Sequence, residues 1–200
     1  MTHEHEEPAL SDKDQEIIAV GASIASGCLP CTKFHLRAAS RSGATEREAL
    51  DAVHDATLVR QAATEIMARA GGVSPVEARG PFQDSTEART LIRELVSISA
   101  AYAIACTTSL DAHLAAARAR GATNRQVFAA VRIACAIRDV AGSKAKAAVG
   151  VALGVSEHEA ASCGCTGESD PPADDTSNSA SGTHGGADVD ACACDGGGCR

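Results

Sequence analysis

The stretch HLRAASRSGATEREALDAV, residues 35–53, returns 78 positions later as HLAAARARGATNRQVFAAV, residues 113–131. The match extends outward without a gap. Residues 16–60 fall on 94–138, and 16 of these 45 positions are identical. Glu16 falls on Glu94, Cys28 on Cys106, His35 on His113, and Gly43–Thr45 on Gly121–Thr123. An ungapped correspondence of this length describes two similar units packed as one pseudo-symmetric domain.

Composition decides what those units are made of. Of the 200 residues 44% are hydrophobic, yet only 2% are aromatic, with no Trp, one Tyr and three Phe. The apolar mass is Ala with some Leu, Ile and Val. Ala is the best helix former, while strand formers are sparse. The expected class is therefore all-α: a helical bundle of two tandem pseudo-symmetric repeats.

Local signals divide the chain. Ser11 is an N-cap followed by Asp12 and Asp14, which opens a helix to about Gly27. A second helix starts near the cysteines and ends near Gly43. Thr45 with Glu48 three residues on forms a capping box for a third, running toward Ala70. GGVSP and RGPF interrupt the pattern between 71 and 83. Helix resumes near Ser85, breaks near Gly121, restarts at Thr123 and fades after Gly154. The expected organisation is an acidic N-terminus over 1–10 and a duplicated domain over 11–155. Repeat one covers about 11–75 and repeat two about 84–155, and a tail occupies 156–200. The tail is Ser, Gly, Asp and Pro with few large apolar residues, which reads as disordered.

The formal net charge of −8 belongs to the ends. Residues 166–200 carry seven acids against Arg200, and residues 1–10 carry three more, leaving 11–165 at +1. Nothing here favours a nucleic-acid groove or a basic membrane face. The start, MTHEHEEPAL, has no apolar h-region, and no run reaches bilayer length. The expected location is cytoplasmic. There, nine cysteines point to metal or redox chemistry more than to structural disulfides.

Four of those cysteines precede the tail. Cys28 and Cys31 flank Pro30 where a helix begins, and a helix N-terminus stabilises thiolate. A separation of three also lets two sulfurs meet. His35 is one turn beyond Cys31 on the same face and can act as its base. Glu16, among Ile17, Ile18 and Val20, is expected to face inward and to need a partner there. Three readings stand side by side: a redox-active site, a zinc site with ligands from Cys28, Cys31, His35 and Glu16, and inert core thiols. In the second copy Ser109 replaces the second cysteine. That site reads either as retired, kept for packing, or as an auxiliary thiol or substrate pocket. Cys135 reads as a small core residue and His54 as a surface residue.

The pattern Glu-x11-Cys-x2-Cys-x3-His on two consecutive helices resembles the alkylhydroperoxidase-D (AhpD-like) branch of the carboxymuconolactone decarboxylase-like family, over roughly residues 11–150. Decarboxylation itself is not implied, since the decarboxylase branch of the family does not depend on a Cys-x-x-Cys pair. The resemblance implies an AhpD-like all-α fold assembled as a homo-oligomer, trimer or hexamer. It implies peroxidase or disulfide oxidoreductase activity on a hydroperoxide or disulfide substrate. Cys31 would be the attacking thiolate, Cys28 the resolving thiol, and His35 with Glu16 the proton relay. The electron donor would be a thiol protein, for example a dihydrolipoyl protein. No organic cofactor is expected, because no glycine-rich dinucleotide loop is present.

The five tail cysteines, Cys163, Cys165, Cys192, Cys194 and Cys199, stand outside that pattern. Soft thiolates on an acidic chain suit Cu(I), Zn(II) or arsenite. A metal or metalloid site is one reading of them. A tethered redox arm serving Cys28 and Cys31 is a second, and a tail without a role is a third.

Overall fold

The computed structural model describes residues 9–72 and 89–154, and these form six helices and no strand. The helices are α1 (Asp12–Ala25), α2 (Leu29–Arg41), α3 (Glu46–Ala70), α4 (Leu91–Ala103), α5 (Thr107–Ala119) and α6 (Asn124–Leu153). The first three belong to repeat one and the last three to repeat two. The tail and its five cysteines lie outside the described residues.

Five of the six helices, all but α5, start where a side chain satisfies an orphan backbone donor. Ser11 Oγ accepts from the Asp14 N–H at 3.1 Å. Thr45 and Glu48 complete a reciprocal capping box on α3, and Thr123 and Gln126 do the same on α6. The matching boxes are the duplication seen as structure. α6 ends at Gly154, whose φ of +65° no β-carbon opposes.

Packing follows the repeat. α1 and α4 cross at the centre. α1 also packs on α2, α3 and α6, and α4 reciprocally on α5, α6 and α3. Exchanging the two copies therefore maps the packing of α1 onto that of α4. Ile18, Val20, Leu95 and Ile98 are fully buried in this crossing, each contributing about 1.5–3 kcal/mol by leaving water. Gly21 of α1 lies so close that a β-carbon there would fall 2.7 Å from Val96 Cγ1. Ser99, its counterpart on α4, donates its hydroxyl to the Ile18 carbonyl at 3.0 Å. Toward the cysteine-bearing turns the core is made of small residues, among them Ala22, Ala56, Ala100 and Ala134. These are two pairs 78 residues apart, and their size lets the helices approach closely.

One boundary differs from the sequence reading. A continuous helix up to Gly121 is instead broken between Ala103 and Thr107, separating α4 from α5. The break sits on Ala105, the one non-glycine residue with positive φ (54°) among the described residues. Its counterpart is Gly27, with φ of 67°. The same left-handed turn is thus built twice, once with the residue that adopts it freely and once with one that pays steric strain.

Candidate active site

The turn at Gly27 delivers Cys28 as the N-cap of α2, with Pro30 in the first helical turn. Cys28 and Cys31 are joined as a disulfide, with their Cα atoms 5.3 Å apart. Both are buried, 6% exposed each. The Cys31 N–H points at Cys28 Sγ, 3.3 Å away, so the sulfur occupies the place of a capping oxygen. No acidic residue lies in the first turn of α2. The partial positive charge of the helix end therefore acts on this pair with no carboxylate of its own helix opposing it, which favours the thiolate when the bond is reduced.

His35 lies one turn further along α2 and Glu16 on α1. Their side chains meet, His35 Nδ1 to Glu16 Oε2 at 2.7 Å. Both are half-buried. An ionised carboxylate can only accept, so Nδ1 carries the proton, and whenever the ring is neutral its lone pair stands on Nε2. Glu16 thereby fixes the tautomer that can act as a base. Phe34 stands perpendicular to the imidazole, with ring centres 5.0 Å apart. The structure thus joins the four residues in two pairs: Cys28 with Cys31, and Glu16 with His35.

The second copy repeats half of this. Cys106 stands at the N-cap position of α5 without a side-chain capping bond, and His113 Nδ1 meets Glu94 Oε2 at 2.9 Å. The Cys106 thiol is free and donates to Ser109 Oγ at 3.1 Å. Glu94, however, is fully enclosed and also accepts from Arg89 Nε at 3.0 Å, with Arg120 Nη1 at 3.6 Å. In the first copy the positions of these arginines hold Ser11 and Ser42. Glu94 is held by fixed cations, whereas Glu16 has its histidine.

Arg89 links this dyad to a second carboxylate that the sequence did not single out. Asp55 on α3 is completely buried. It accepts from Arg89 Nη1 at 2.9 Å and, in bidentate fashion, from Arg93 at 2.7 and 2.8 Å. Arg89 also reaches Ser97 Oγ at 2.6 Å. The cluster ties α3 of one repeat to α4 of the other. No local signal marks it, because Asp55 lies 34 and 38 residues from its partners.

Two sequence readings need correction. His54 is half-buried, 3.7 Å from Asp55, rather than a surface residue. Cys135 is half-buried, with its sulfur 3.9 Å from Asp139 Oδ2, rather than a core residue. It follows the buried Ala134 on α6, where an Ala-rich helix gives no strong amphipathic cue to separate core from rim. Among the described residues no group of three or more His, Cys, Asp and Glu is arranged to hold a metal ion. No helix among them is long and apolar enough to cross a membrane.

The carboxymuconolactone decarboxylase family model matches residues 1–75 and 90–153, most of the chain and one segment for each repeat. The chain belongs to that family. No curated protein and no solved structure gives a significant match.

Proposed function

We propose that the protein is a thiol-dependent oxidoreductase of the alkylhydroperoxidase type, working through Cys31 and Cys28. The observation that carries this is the disulfide at the N-terminus of α2, one turn from a histidine whose tautomer is set by Glu16. The family includes peroxidases of this kind, which supports the reading. In the reduced protein the His35 lone pair would take the Cys31 proton, directly or through one water. The Cys31 thiolate attacks the terminal oxygen of a hydroperoxide. The O–O bond breaks, the alcohol leaves with a proton, and Cys31 becomes a sulfenic acid. Cys28 then attacks Cys31 Sγ and water departs as the disulfide forms. A dithiol donor, for which a dihydrolipoyl protein is the proposed source, reduces the disulfide by exchange and restores both thiols.

Ser109 removes the nucleophile from the second copy, so one site per chain would turn over. By the resemblance to the AhpD-like branch, assembly into a homo-oligomer, a trimer or hexamer, is proposed as well. The test is turnover of an alkyl hydroperoxide with a dithiol reductant. Wild type should outpace Cys31→Ser by at least about a hundredfold, in line with loss of a nucleophile. Equal rates would refute the reading. A soft-metal or arsenite site on the tail is a separate proposal, favoured by five cysteines within residues 163–199. Replacing all five by serine should abolish arsenite binding and spare turnover; retained binding would refute it.

A further inference from the structure

Arg60 and Arg138 occupy matching positions on α3 and α6, and both face the turns that carry the cysteines. Arg138 shares a cavity of about 200 Å³ with Cys106 and Ala105, its guanidinium stacked 5.2 Å above the Tyr102 ring. Arg60 borders a larger cleft of about 390 Å³, with Ala25, Ala63, Thr64, Met67 and Ile104. Its Nη1 donates to the Ile24 carbonyl at 2.8 Å. The same nitrogen lies 3.9 Å from where a β-carbon on Gly27 would stand, one residue before Cys28. The cleft therefore abuts the turn that holds the disulfide.

Its chemistry is one-sided. Ala25, Ala63, Met67 and Ile104 offer hydrocarbon, and Thr64 one hydroxyl. Arg60 is the single charged residue of the lining. A guanidinium carries five N–H donors, so the bond to Ile24 leaves capacity for an oxyanion. The volume falls within the range of small-molecule sites. Met67 is largely exposed, and a flexible thioether can fold over an alkyl chain. We propose that this cleft is the substrate subsite of the Cys28/Cys31 centre and selects organic hydroperoxides that carry a carboxylate on an alkyl chain, with Arg60 as the anion anchor. This rests on the redox reading above; the anchor itself does not. The second cavity, half the size and with Tyr102 covering its arginine, is not such a subsite.

The test compares a medium-chain fatty-acid hydroperoxide with its methyl ester on the full chain. Arg60→Gln should raise KM for the acid about tenfold, the worth of one charge-assisted hydrogen bond. The ester, which offers no carboxylate, should respond far less, so the ratio of the acid's KM to the ester's is the readout. Arg60→Lys should restore part of the loss, and Arg138→Gln should have no effect. A merely structural role for Arg60 would move acid and ester alike, and that outcome overturns the proposal. Calorimetric titration of decanoate into Cys31→Ser, with and without Arg60→Gln, reads the anchor without turnover. Arg60-dependent binding supports the anchor even if no hydroperoxide is consumed, in which case the redox reading fails alone. Turnover blind to Arg60, together with no decanoate binding, overturns the subsite and leaves the redox reading standing.

Discussion

Asp55→Asn should be among the most destabilising isosteric changes in the chain. Both oxygens of Asp55 accept from guanidinium groups, at 2.7, 2.8 and 2.9 Å, and the residue has no solvent exposure. Asparagine keeps one carbonyl and turns an N–H₂ toward an arginine N–H, donor against donor. It also removes the bidentate carboxylate that the buried Arg93 guanidinium holds. Breaking a buried pair by removing one partner costs about 3–5 kcal/mol. Arg89 keeps Glu94 and Ser97, so the lower end applies, about 3 kcal/mol. For a domain of this size that corresponds to a fall in Tm of about 6–12 °C. The assay is urea and thermal unfolding followed by far-ultraviolet circular dichroism. A double change, Asp55→Leu with Arg93→Met, replaces the pair by hydrocarbon and should recover most of the loss. A loss below about 1 kcal/mol for Asp55→Asn, against the range for buried pairs, would refute the view that this cluster clamps the two repeats.

Two further outcomes follow from single side chains. Ser23 is completely buried and its hydroxyl has no hydrogen-bond partner among the described residues, while its counterpart in the second copy is Ala101. Ser23→Ala should raise stability by about 1 kcal/mol, the burial cost of an unpaired hydroxyl; a loss measured by urea unfolding would show a hidden partner. Glu48 is held down to about 2 by the Lys13 ammonium first, then by the Thr45 backbone and hydroxyl. Because its folded pKa lies below the ordinary 4.5, its contribution is present above that value and is lost as pH falls toward 2. Glu48→Gln should therefore cost less than about 1 kcal/mol at neutral pH, the pair being partly exposed. The gap between the two proteins should close in that acid window; a gap unchanged at pH 2 would contradict the assignment.

What the sequence disclosed were features with a local or repeated signature. The capping box at Thr45 and Glu48, the cysteine-bearing helix start and the 78-residue offset all depend on residues near one another or copied in register. The turn at Ala105 escaped because alanine carries no turn signal. Only its alignment with Gly27 marks it. Asp55 and Arg93 escaped for a different reason. Each reads locally as part of a solvated helix face, and the repeat does not help, since their counterparts are Ile133 and Gln15. An interaction made once, across the junction of two copies, leaves no trace in either. Apolar neighbours mark Glu16 as a carboxylate in need of a partner, but its pairing with His35, Nδ1 to carboxylate, depends on how α1 and α2 pack.

The division of labour between Cys31 and Cys28 is the centre of the account, and trapping the sulfenic acid tests it most directly. Reduced protein would be given one equivalent of hydroperoxide in the presence of dimedone, and labelled peptides mapped by mass spectrometry. In Cys28→Ser, Cys31 should carry the dimedone adduct because nothing resolves it. In Cys31→Ser, Cys28 should remain unlabelled, and Cys106 should be unlabelled in both. An adduct on Cys28 in Cys31→Ser equal to that on Cys31 in Cys28→Ser would contradict the assigned roles. The absence of any adduct in Cys28→Ser would contradict peroxide chemistry at this site altogether.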